Sequence, residues 1–509
     1  MISIDEMATF CKRRGFVYPN SELYGGIAGF FDYGPLGVEL KNNIKREWWK
    51  YHVHSRDDVV GIDSSIITHP GVWEASGHLG SFQDIVVECK NCHERYRADQ
   101  LIEERTKKRA DVLSVKKIIE LMKEYKIKCQ KCGKDALSEP SPFNLMFQTH
   151  IGLKKDNESV AYLRPETAQS IFVNFKLVQE NARLKLPFGI AQIGKAFRNE
   201  ISPRGFLFRS REFEQMEIEY FVHPDKRNEC LHVDEILDCE ILIYSAEMQE
   251  KNDKPKIMKI KTALNKKIIK NPWHAYWLVN EYRWFVSLGA HEKSFRIRQH
   301  LKDELSHYST DTWDLEYGFP FGWKELLGVA DRGNFDLQQH MKYSKKDLFV
   351  FDEETKKKII PHVIAEPSLG VDRAFLAFLF DAYEYDKERK NVVLKLHPKL
   401  APITVGVFPL LSNREELVKK TKEVLNLLRE DFNCFYDEGG SIGRRYFRQD
   451  EAGTPVCVTC DFDTLDSNTL TLRDRNTAKQ VRIKITDIKD AIFKFLNGAK
   501  LEDFGKIVK

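Results

Sequence analysis

Two consecutive segments of alternating side chains place the strongest constraint on the fold of this chain. Because successive side chains of a β-strand point to opposite faces, a period of two predicts half-buried strands at residues 189–201 and 211–221. On the first strand, Ala191, Ile193 and Phe197 would face a core, and the other face would carry Gln192, Gly194, Ala196, Arg198 and Glu200. On the second strand, one face would carry Arg211, Phe213, Gln215 and Glu217. The pattern predicts a hairpin within a largely antiparallel sheet.

The outward face of this hairpin has the chemistry of a nucleotide site. An arginine offers a forked cation to phosphate oxygens, and an aromatic ring offers its face to a purine. A carboxylate accepts a hydrogen bond from an exocyclic amine. A salt-bridged, solvated hairpin is the alternative that this segment alone leaves open.

A second segment, residues 362–380, strengthens the interpretation of a nucleotide site. It reads as a strand with Glu366 and Ser368 on one face, followed by Gly370 and an almost entirely apolar helix. Arg373 falls in the first turn of that helix. Free backbone N–H groups, the helix dipole and a guanidinium would together form an anion site.

The length of 509 residues suggests roughly three domains. We expect an α+β core over residues 1–400 and a small α/β domain over residues 401–509, where a strand at 403–408, a helix at 414–431 and a strand at 434–436 follow in order. Two insertions are expected in the core, a cysteine-pair segment at about 89–132 and a lysine-rich segment at about 222–295. The latter has eight lysines within residues 251–270, which indicates a basic surface helix or hairpin, or simply a solvated face.

Composition and charge narrow the classes of protein. A hydrophobic share of 42% with 31% charged residues excludes a disordered or fibrous chain. The formal net charge is only +4, so any nucleic-acid surface must be local. Because no apolar run reaches about 20 residues and the first residues carry no secretory signal, we expect a cytoplasmic protein that does not contact membranes.

Six of the ten cysteines form three Cys-x-x-Cys pairs. Cys89, Cys92, Cys129 and Cys132 have the pairwise spacing of a structural zinc site, although a long helix-like stretch at residues 98–128 separates the two pairs. Cys457 and Cys460 lie on an alternating strand with no second pair nearby, so we interpret them as structural.

These segments together resemble the motifs of class II aminoacyl-tRNA synthetases. Phe197-Arg198-Asn199-Glu200, the stretch from Arg209 to Phe213, and the stretch from Gly370 to Arg373 match the second and third motifs. A long helix at residues 37–53, with the stripe Leu40, Ile44, Trp48 and Tyr51, resembles the first. Longer strings resemble the dimeric glycyl-tRNA synthetase family in particular: YGPLG, WEASGHLGSFQD, LRPETAQ, GKAFRNEISPR, REFEQMEIEYF, RQHLKDELSHYSTDTWD, GWKELLGVADR, IAEPSLGVDR and GGSIGRRYFRQDEAGTP.

The resemblance implies a homodimeric class II fold, with an antiparallel-sheet catalytic domain and an anticodon-binding domain. It implies that glycine is activated by ATP and transferred to the 3′ end of glycine tRNA. Arg198, Glu200 and Arg373 would be catalytic, contacting the α-phosphate, the adenine amine and the γ-phosphate, while Phe213 stacks on adenine. Glu325 would hold Mg²⁺ with the ATP phosphates.

The resemblance also implies two larger sets of binding residues. The ATP site would comprise Arg198, Asn199, Glu200, Phe208, Arg209, Ser210, Arg211, Glu212, Phe213, Glu325, Leu326, Gly370, Val371, Asp372 and Arg373. The glycine site would comprise Arg97, Glu166, Phe213, Glu214, Gln215, Met216, Glu217, Glu366, Pro367, Ser368, Leu369 and Gly370. Clustered carboxylates would take the ammonium of glycine both as ligand and as charge compensation.

Three other functions remain as alternatives. A non-catalytic accessory protein that binds nucleic acid could reuse the same fold, but it would lose the ATP residues. A sister enzyme for threonine, serine, proline or histidine fits the Glu166 and EPSLG segments less well. A metal-binding RNA chaperone is the third alternative. In the C-terminal domain, Arg444, Arg445, Tyr446, Phe447 and Arg448 would contact unpaired anticodon bases or else form a core strand with basic ends.

Overall fold

The computed structural model describes residues 2–106, 110, 113–153, 155–203, 205–306 and 309–508. Its first part alternates short strands and helices, in the order α1 Ile4–Arg14, β1 Val17–Pro19, β2 Phe31–Tyr33, α2 Pro35–Trp49, β3 Val59–Ile62, β4 Ile67–Thr68, α3 Pro70–Ala75, α4 His78–Ser81, β5 Gln83–Glu88, β6 Arg95–Arg97, α5 Ala98–Thr106, α6 Val115–Glu124, β7 Ser141–Asn144 and β8 Phe147–His150. A single π-helical turn, Lys50–His54, extends α2.

The middle of the chain contains longer strands. They and their helices are β9 Val160–Leu163, α7 Ala168–Asn181, β10 Phe188–Phe197, β11 Glu212–Val222, β12 Glu240–Tyr244, α8 Ala246–Glu250, β13 Lys256–Lys259, α9 Ile260–Asn265, α10 Pro272–Ser287, β14 Phe295–Gln299, β15 Thr312–Phe319, β16 Gly322–Ala330, α11 Phe335–Ser344, β17 Val350–Asp352, β18 Lys357–Ile359, β19 His362–Gly370, α12 Val371–Ala382, β20 Tyr383–Asp386 and β21 Asn391–Leu394. None of the helices in the described ranges is both long enough and apolar enough to cross a bilayer.

A third set of elements completes the chain. These are β22 Val405–Pro409, α13 Glu415–Arg429, β23 Cys434–Tyr436, α14 Ile442–Ala452, β24 Val456–Cys460, α15 Phe462–Ser467, β25 Thr469–Asp474, β26 Gln480–Lys484, α16 Ile488–Leu496 and β27 Ile507–Val508. The strands form one six-stranded sheet in the order β23-β22-β24-β25-β26-β27, in which β22 runs parallel to β23 and to β24. The predicted strand, helix and strand at its start are confirmed.

A nine-stranded sheet, in the order β13-β12-β14-β15-β16-β19-β11-β10-β3, forms the centre of the molecule. All its pairings are antiparallel except those of β3 with β10 and of β12 with β14. The predicted hairpin is the β10–β11 pair, where Gln192 lies opposite Glu217 and Ala196 lies opposite Phe213. The predicted faces are confirmed within these two strands. The first strand ends at Phe197 rather than at residue 201, so Arg198 and Glu200 lie beyond it.

One face of this sheet is covered by the helices α2, α10 and α12. Leu40, Ile44 and Trp48 of α2 are fully buried there, as the predicted stripe requires. The even-numbered residues of β11, including Met216 and Ile218, point into the same core. Because β-strand side chains alternate, the odd-numbered residues of β11 face the opposite side, where the cleft lies.

The lysine-rich region at residues 222–295 does not form a separate unit. Its strands β12 and β13 extend the edge of the central sheet, and α10 is buried in the main core with Trp273 and Trp277 almost inaccessible. The lysines alternate with apolar residues, so Ile260 packs inward while the lysines remain at the surface. Lysine on an edge strand also discourages pairing with another chain.

The cysteine-pair segment folds around its own small core. Strands β5, β6 and β7 form a three-stranded sheet, and α5 and α6 pack on it through Leu101, Ile118 and Met122. The expected helix-like stretch at 98–128 is thus two helices, and residues 107–109 and 111–112 between them lie outside the described residues.

The segment Arg444 to Arg448 forms part of helix α14, so the expectation of a core strand is wrong. Arg445 is 1% exposed and donates to the backbone carbonyls of Pro409 and Gly440. Tyr446 shares a hydrogen bond of 2.7 Å with the hydroxyl of Thr459. Arg444 and Phe447 are the members of this segment that are exposed.

Candidate active site

A cleft of about 470 Å³ opens on the face of the central sheet that the three core helices leave free. Its floor is formed by β11, β16 and β19, and the first turn of α12 closes one end. Among the predicted residues, the cleft brings together Glu166, Arg198, Glu200, Phe208, Arg209, Ser210, Phe213, Gln215, Glu217, Glu325, Leu326, Glu366, Ser368, Gly370, Asp372 and Arg373. Its volume is in the range typical of small-molecule sites.

Two arginines define one end of the cleft. The guanidinium carbon of Arg198 lies 5.2 Å from the ring centroid of Phe213. Arg373 lies in the first turn of α12, and its guanidinium carbon is 4.5 Å from the ring centroid of Phe208. Arg373 also forms an ion pair of 3.1 Å with Glu325. This end can therefore neutralise a polyanion and stack a flat ring.

Glu325 lies on strand β16 at the rim of the cleft. Desolvation inside the cleft is the largest influence on its pKa and acts to raise it, but the Arg373 guanidinium outweighs this and holds the pKa below the usual value. An ionised carboxylate at this position has the donor atoms that Mg²⁺ prefers.

Glu200 is held by Arg209 in this structure. The guanidinium of Arg209 lies 2.7 Å from Oε2 of Glu200, which is only 7% exposed. Arg211 donates from Nε to the backbone carbonyl of Glu200, and Asn199 donates its own backbone N–H to Leu145. The loop between β10 and β11 is thus braced mainly through main-chain atoms.

The other end of the cleft holds a cluster of buried carboxylates. Glu166, just before α7, lies 3.4 Å from Nε2 of His78. Glu217, from β11, accepts a hydrogen bond from the hydroxyl of Thr167. Glu366, from β19, accepts a hydrogen bond of 2.8 Å from Nη1 of Arg332. Three separate chain segments therefore direct carboxylates to one place.

The surroundings of these three carboxylates shift their pKa values in different directions. Burial acts to raise the pKa of Glu166, but the charges of His78 and Arg332 outweigh it and lower the pKa well below its usual range. Burial raises the pKa of Glu217, and the neighbouring charge of Glu166 adds to this. Burial also raises the pKa of Glu366 to about 8, although Arg332 acts in the opposite direction. An arriving cation would favour the charged form of each.

Several predicted residues do not face the cleft, because alternation sends every second side chain to the other side of its strand. Met216, Leu369 and Val371 are completely buried in the main core, and Pro367 is buried in the sheet. Glu214 binds Lys41 and Lys45 on the far side, and Glu212 pairs with Lys195 at the surface. Contiguous stretches around a motif therefore overstate the number of side chains that can touch a ligand.

Asp372 and Arg97 are engaged in other contacts. Asp372 lies at the edge of the cleft, but it accepts hydrogen bonds from Lys41 at 3.2 Å and from the backbone of Glu214 at 2.9 Å, so it fastens α12 to β11. Arg97 lies on β6 outside the cleft lining, with its guanidinium bound to Asp84 and Asp99.

Four residues without a predicted role contribute to the site. His78, His300 and Arg332 contact the carboxylates of Glu166, Asp314 and Glu366, and Glu219 lies next to Glu217 and Glu366. Burial acts to lower the pKa of His300, but Asp314 outweighs it and raises that pKa, which favours the protonated imidazole at the cleft. Glu219 continues the alternation of Phe213, Gln215 and Glu217, which is the signal that could have found it.

The four predicted cysteine ligands meet in the small module. Sγ of Cys89 lies 3.7 Å from Sγ of Cys132, and Sγ of Cys92 lies 3.5 Å from Sγ of Cys129. All four sulfur atoms lie within 4.8 Å of one another. Cys457 and Cys460, in contrast, are buried separately in β24, where burial raises the pKa of their thiols to about 12 and about 11.

Comparison with protein families and known proteins assigns the chain. The family model described as "tRNA synthetase class II core domain (G, H, P, S and T)" matches residues 147–383, and "Anticodon binding domain" matches residues 404–494. A protein of Clostridium kluyveri named "Glycine--tRNA ligase" is 46% identical over 499 residues, which cover 96% of this chain and 98% of that protein. The chain belongs to the glycine–tRNA ligase family. A second member of this family, from Caldanaerobacter subterraneus, is 46% identical over 494 residues and covers 96% of this chain.

A solved structure agrees with this assignment at the level of the fold. The prolyl-tRNA synthetase of Cryptosporidium parvum, crystallised with halofuginone and AMPPNP, superposes with a TM-score of 0.58 at 14% identity and covers 96% of this chain and 74% of its own. Membership in the glycine–tRNA ligase family confirms the predicted class II fold, an α+β core with an anticodon-binding domain.

Proposed function

We propose that the protein is a glycine–tRNA ligase that forms glycyl-adenylate from glycine and ATP and then transfers the glycyl group to the 3′ end of glycine tRNA. One observation carries this proposal. A single cleft, in a chain of this family, has ring-stacked arginines at one end and buried carboxylates at the other. Such a cleft suits a nucleoside triphosphate beside a small ammonium-bearing substrate.

In the first step, a carboxylate oxygen of glycine attacks the α-phosphorus of ATP. A bond forms between that oxygen and phosphorus, and the bond to the bridging oxygen breaks to release pyrophosphate. Arg198 neutralises charge at the α-phosphate, and Arg373 holds the far end of the triphosphate. Displacement at phosphorus depends on positioning and charge neutralisation, so these side chains suffice without a protein nucleophile.

Glycine is selected by its ammonium and by its size. Glu166, Glu217 and Glu366 surround the ammonium, and Gln215 donates a hydrogen bond of 3.1 Å to Ser368 beside them. A methyl group on the substrate would need additional room at this end of the cleft. Excluding a larger substrate by clash is more effective than excluding a smaller one, so no editing site is required.

Two metal ions belong to this proposal. Mg²⁺ travels with ATP, neutralises phosphate charge and would be held by Glu325. Zn²⁺ would be held by Cys89, Cys92, Cys129 and Cys132 in a structural site. Four ligands at about 2.3 Å from a tetrahedral zinc are separated by about 3.8 Å, and the paired sulfur distances of 3.7 and 3.5 Å are close to that value.

The tRNA surface is proposed to extend over both domains. In the catalytic domain, residues 1–400, the exposed lysines of β13 would approach the acceptor stem. In the anticodon-binding domain, residues 401–509, Arg444 and Phe447 remain exposed to stack with unpaired bases. Arg445 is buried and donates a hydrogen bond to the backbone carbonyl of Gly440, so it is not part of this surface.

The proposal includes a homodimer in a reducing, cytoplasmic compartment. Leu23 and Tyr24, just before β2, are each 89% exposed, and Ile27 is 53% exposed. Apolar side chains as exposed as these are typical of an interface with a second copy. None of the ten cysteines, all of which lie within the described residues, forms a disulfide, which is consistent with a reducing compartment. A strict monomer in light scattering at micromolar concentration would contradict the dimer.

Glycine-dependent exchange of labelled pyrophosphate into ATP tests activation directly. Exchange is measured with glycine, alanine, serine and threonine, without tRNA and with Mg²⁺ present. We expect exchange with glycine alone and its loss in Arg198→Ala. If no amino acid supports exchange in folded protein, the activation step is refuted, and the chain would instead be a binding protein on this fold.

A further inference from the structure

Glu219 is a buried carboxyl group with no partner in the part of the chain that the structure describes. It lies on β11 two residues beyond Glu217, on the same face, and its exposure is 0%. Neither carboxyl oxygen accepts a hydrogen bond from any described group. Leaving a charged carboxylate in such a place would be costly, so its presence calls for a functional explanation.

The surroundings of Glu219 consist mainly of other acids. One oxygen each of Glu217, Glu219 and Glu366 lie within 4.8 Å of one another. In the β11–β19 register, Glu217 pairs with Ser368 and Tyr220 pairs with Ala365, which sets Glu219 directly opposite Glu366. Two ionised carboxylates directly opposite each other on a sheet repel.

The charge of Arg332 is shared within this cluster. Its guanidinium donates two hydrogen bonds of 2.8 Å to Asp336 and one of 2.8 Å to Glu366. Among the described residues, neither oxygen of Glu219 accepts a hydrogen bond from it. Acids that are this close and this poorly compensated share protons, as a dyad of carboxyl groups does.

We propose that Glu219 is a positioning residue that remains protonated and donates a hydrogen bond to a carboxyl oxygen of Glu366. This deepens the proposed function and rests on it. When the ammonium of glycine arrives, Glu366 releases its proton to solvent and binds the ammonium as a carboxylate. Glu219 keeps its own proton and its hydrogen bond holds the Glu366 carboxylate in position. The burial that raises the pKa of Glu219 well above its usual value, together with the charge of Glu366, is consistent with this state.

Two substitutions of Glu219 and one control distinguish a protonated Glu219 that donates a hydrogen bond from an ionised Glu219. Glu219→Gln keeps the size and an N–H donor, whereas Glu219→Leu keeps only the approximate size. Glu281→Gln is the control, because Glu281 is also completely buried and neither of its oxygens accepts a hydrogen bond from a described group, although Nε2 of His52 lies 3.4 Å from its Oε1. Glu281 lies on α10, on the far side of the sheet. Glycine and ATP KM values and kcat are measured by pyrophosphate exchange.

We expect Glu219→Leu to raise the glycine KM about tenfold or more, as for a lost hydrogen bond to a charged group, with ATP KM unchanged. Glu219→Gln should stay within about threefold of wild type, because its amide replaces the donor. Glu281→Gln should leave the glycine KM unchanged. Equal losses in the Gln and Leu variants would show that a charge is required, and a Leu variant like wild type would show no role; either result overturns the proposal.

Infrared spectroscopy tests whether Glu219 is protonated, independently of enzyme activity. The difference spectrum of wild type minus Glu219→Gln should contain the carbonyl stretch of a protonated carboxylic acid, and its absence would overturn the proposal. A bound metal ion that is present in wild type and lost in Glu219→Gln would also overturn it. If wild-type protein exchanges no pyrophosphate, the proposed function fails, while the infrared result still decides the protonation of Glu219.

Discussion

Arg332 connects the stability of the catalytic domain to its substrate cleft. It is 1% exposed, and its guanidinium donates two hydrogen bonds of 2.8 Å to Asp336 and one of 2.8 Å to Glu366. Asp336 is itself 2% exposed. Replacing Arg332 with methionine keeps much of the volume but leaves both carboxylates without their cation.

The expected cost follows from this geometry. Removing one partner of a buried ion pair destabilises a protein by about 3–5 kcal/mol, mainly because a buried charge is left uncompensated. At about 1.4 kcal/mol per tenfold change, the unfolding equilibrium constant should rise by between about 10² and 10⁴. Glu366 would also lose its orienting donor, so the glycine KM should rise while the ATP KM stays constant.

Tryptophan fluorescence in a urea titration reports on the unfolding of the catalytic domain. All eight tryptophans, from Trp48 to Trp323, lie before residue 400, so the C-terminal domain contributes no signal. Arg332→Met should shift the midpoint strongly to lower urea. Adding Asp336→Asn in the same chain removes one stranded charge and should recover at least about 1 kcal/mol.

If Arg332→Met lowers the free energy of unfolding by less than about 1 kcal/mol, Arg332 is not the main compensating charge for these carboxyl groups. An additive double variant, with no recovery from Asp336→Asn, would refute the direct coupling. Arg332→Lys serves as the comparison, because it keeps the charge but cannot form the fork; it should fall between wild type and methionine.

Three further predictions concern Glu366, Arg373 and the cysteine cluster. The pKa of Glu366 is raised to about 8 in the folded protein, so the protonated Glu366 contributes its full share of stability below about pH 4.5, and this share is lost as the pH rises to 8. The urea midpoint should therefore fall less between pH 5 and pH 8 in Glu366→Gln than in wild type. Arg373→Ala removes the cation at the triphosphate end and should lower kcat/KM for ATP by about 10² to 10³, measured by exchange, and a change under fivefold would contradict this role. Cys129→Ser should abolish stoichiometric zinc in elemental analysis and make the module of residues 83–144 sensitive to protease, whereas Cys457→Ser should leave the zinc content unchanged.

The hairpin and the entry to α12 show how much local pattern can predict. Alternation in β11 assigned the correct face to Phe213 and Glu217, because a strand leaves only two directions for its side chains. Arg198 also lines the cleft, although it lies one residue beyond β10. The same rule explains the errors within contiguous stretches, where Met216 and Leu369 are core residues. The lysine-rich region was harder, because a basic surface pattern does not reveal that β12 and β13 pair with the central sheet.

The sequence by itself determined the elements, the faces of the principal strands, the family and the four cysteines. These depend on residues close together in the chain, whose geometry is set by the backbone period. Only the tertiary structure decided that Arg332 reaches Glu366, that His78 reaches Glu166, and that Glu219 lies opposite Glu366. Such contacts join segments far apart in the chain, and their pKa values depend on burial and neighbouring charge, which exist only once the sheet has assembled.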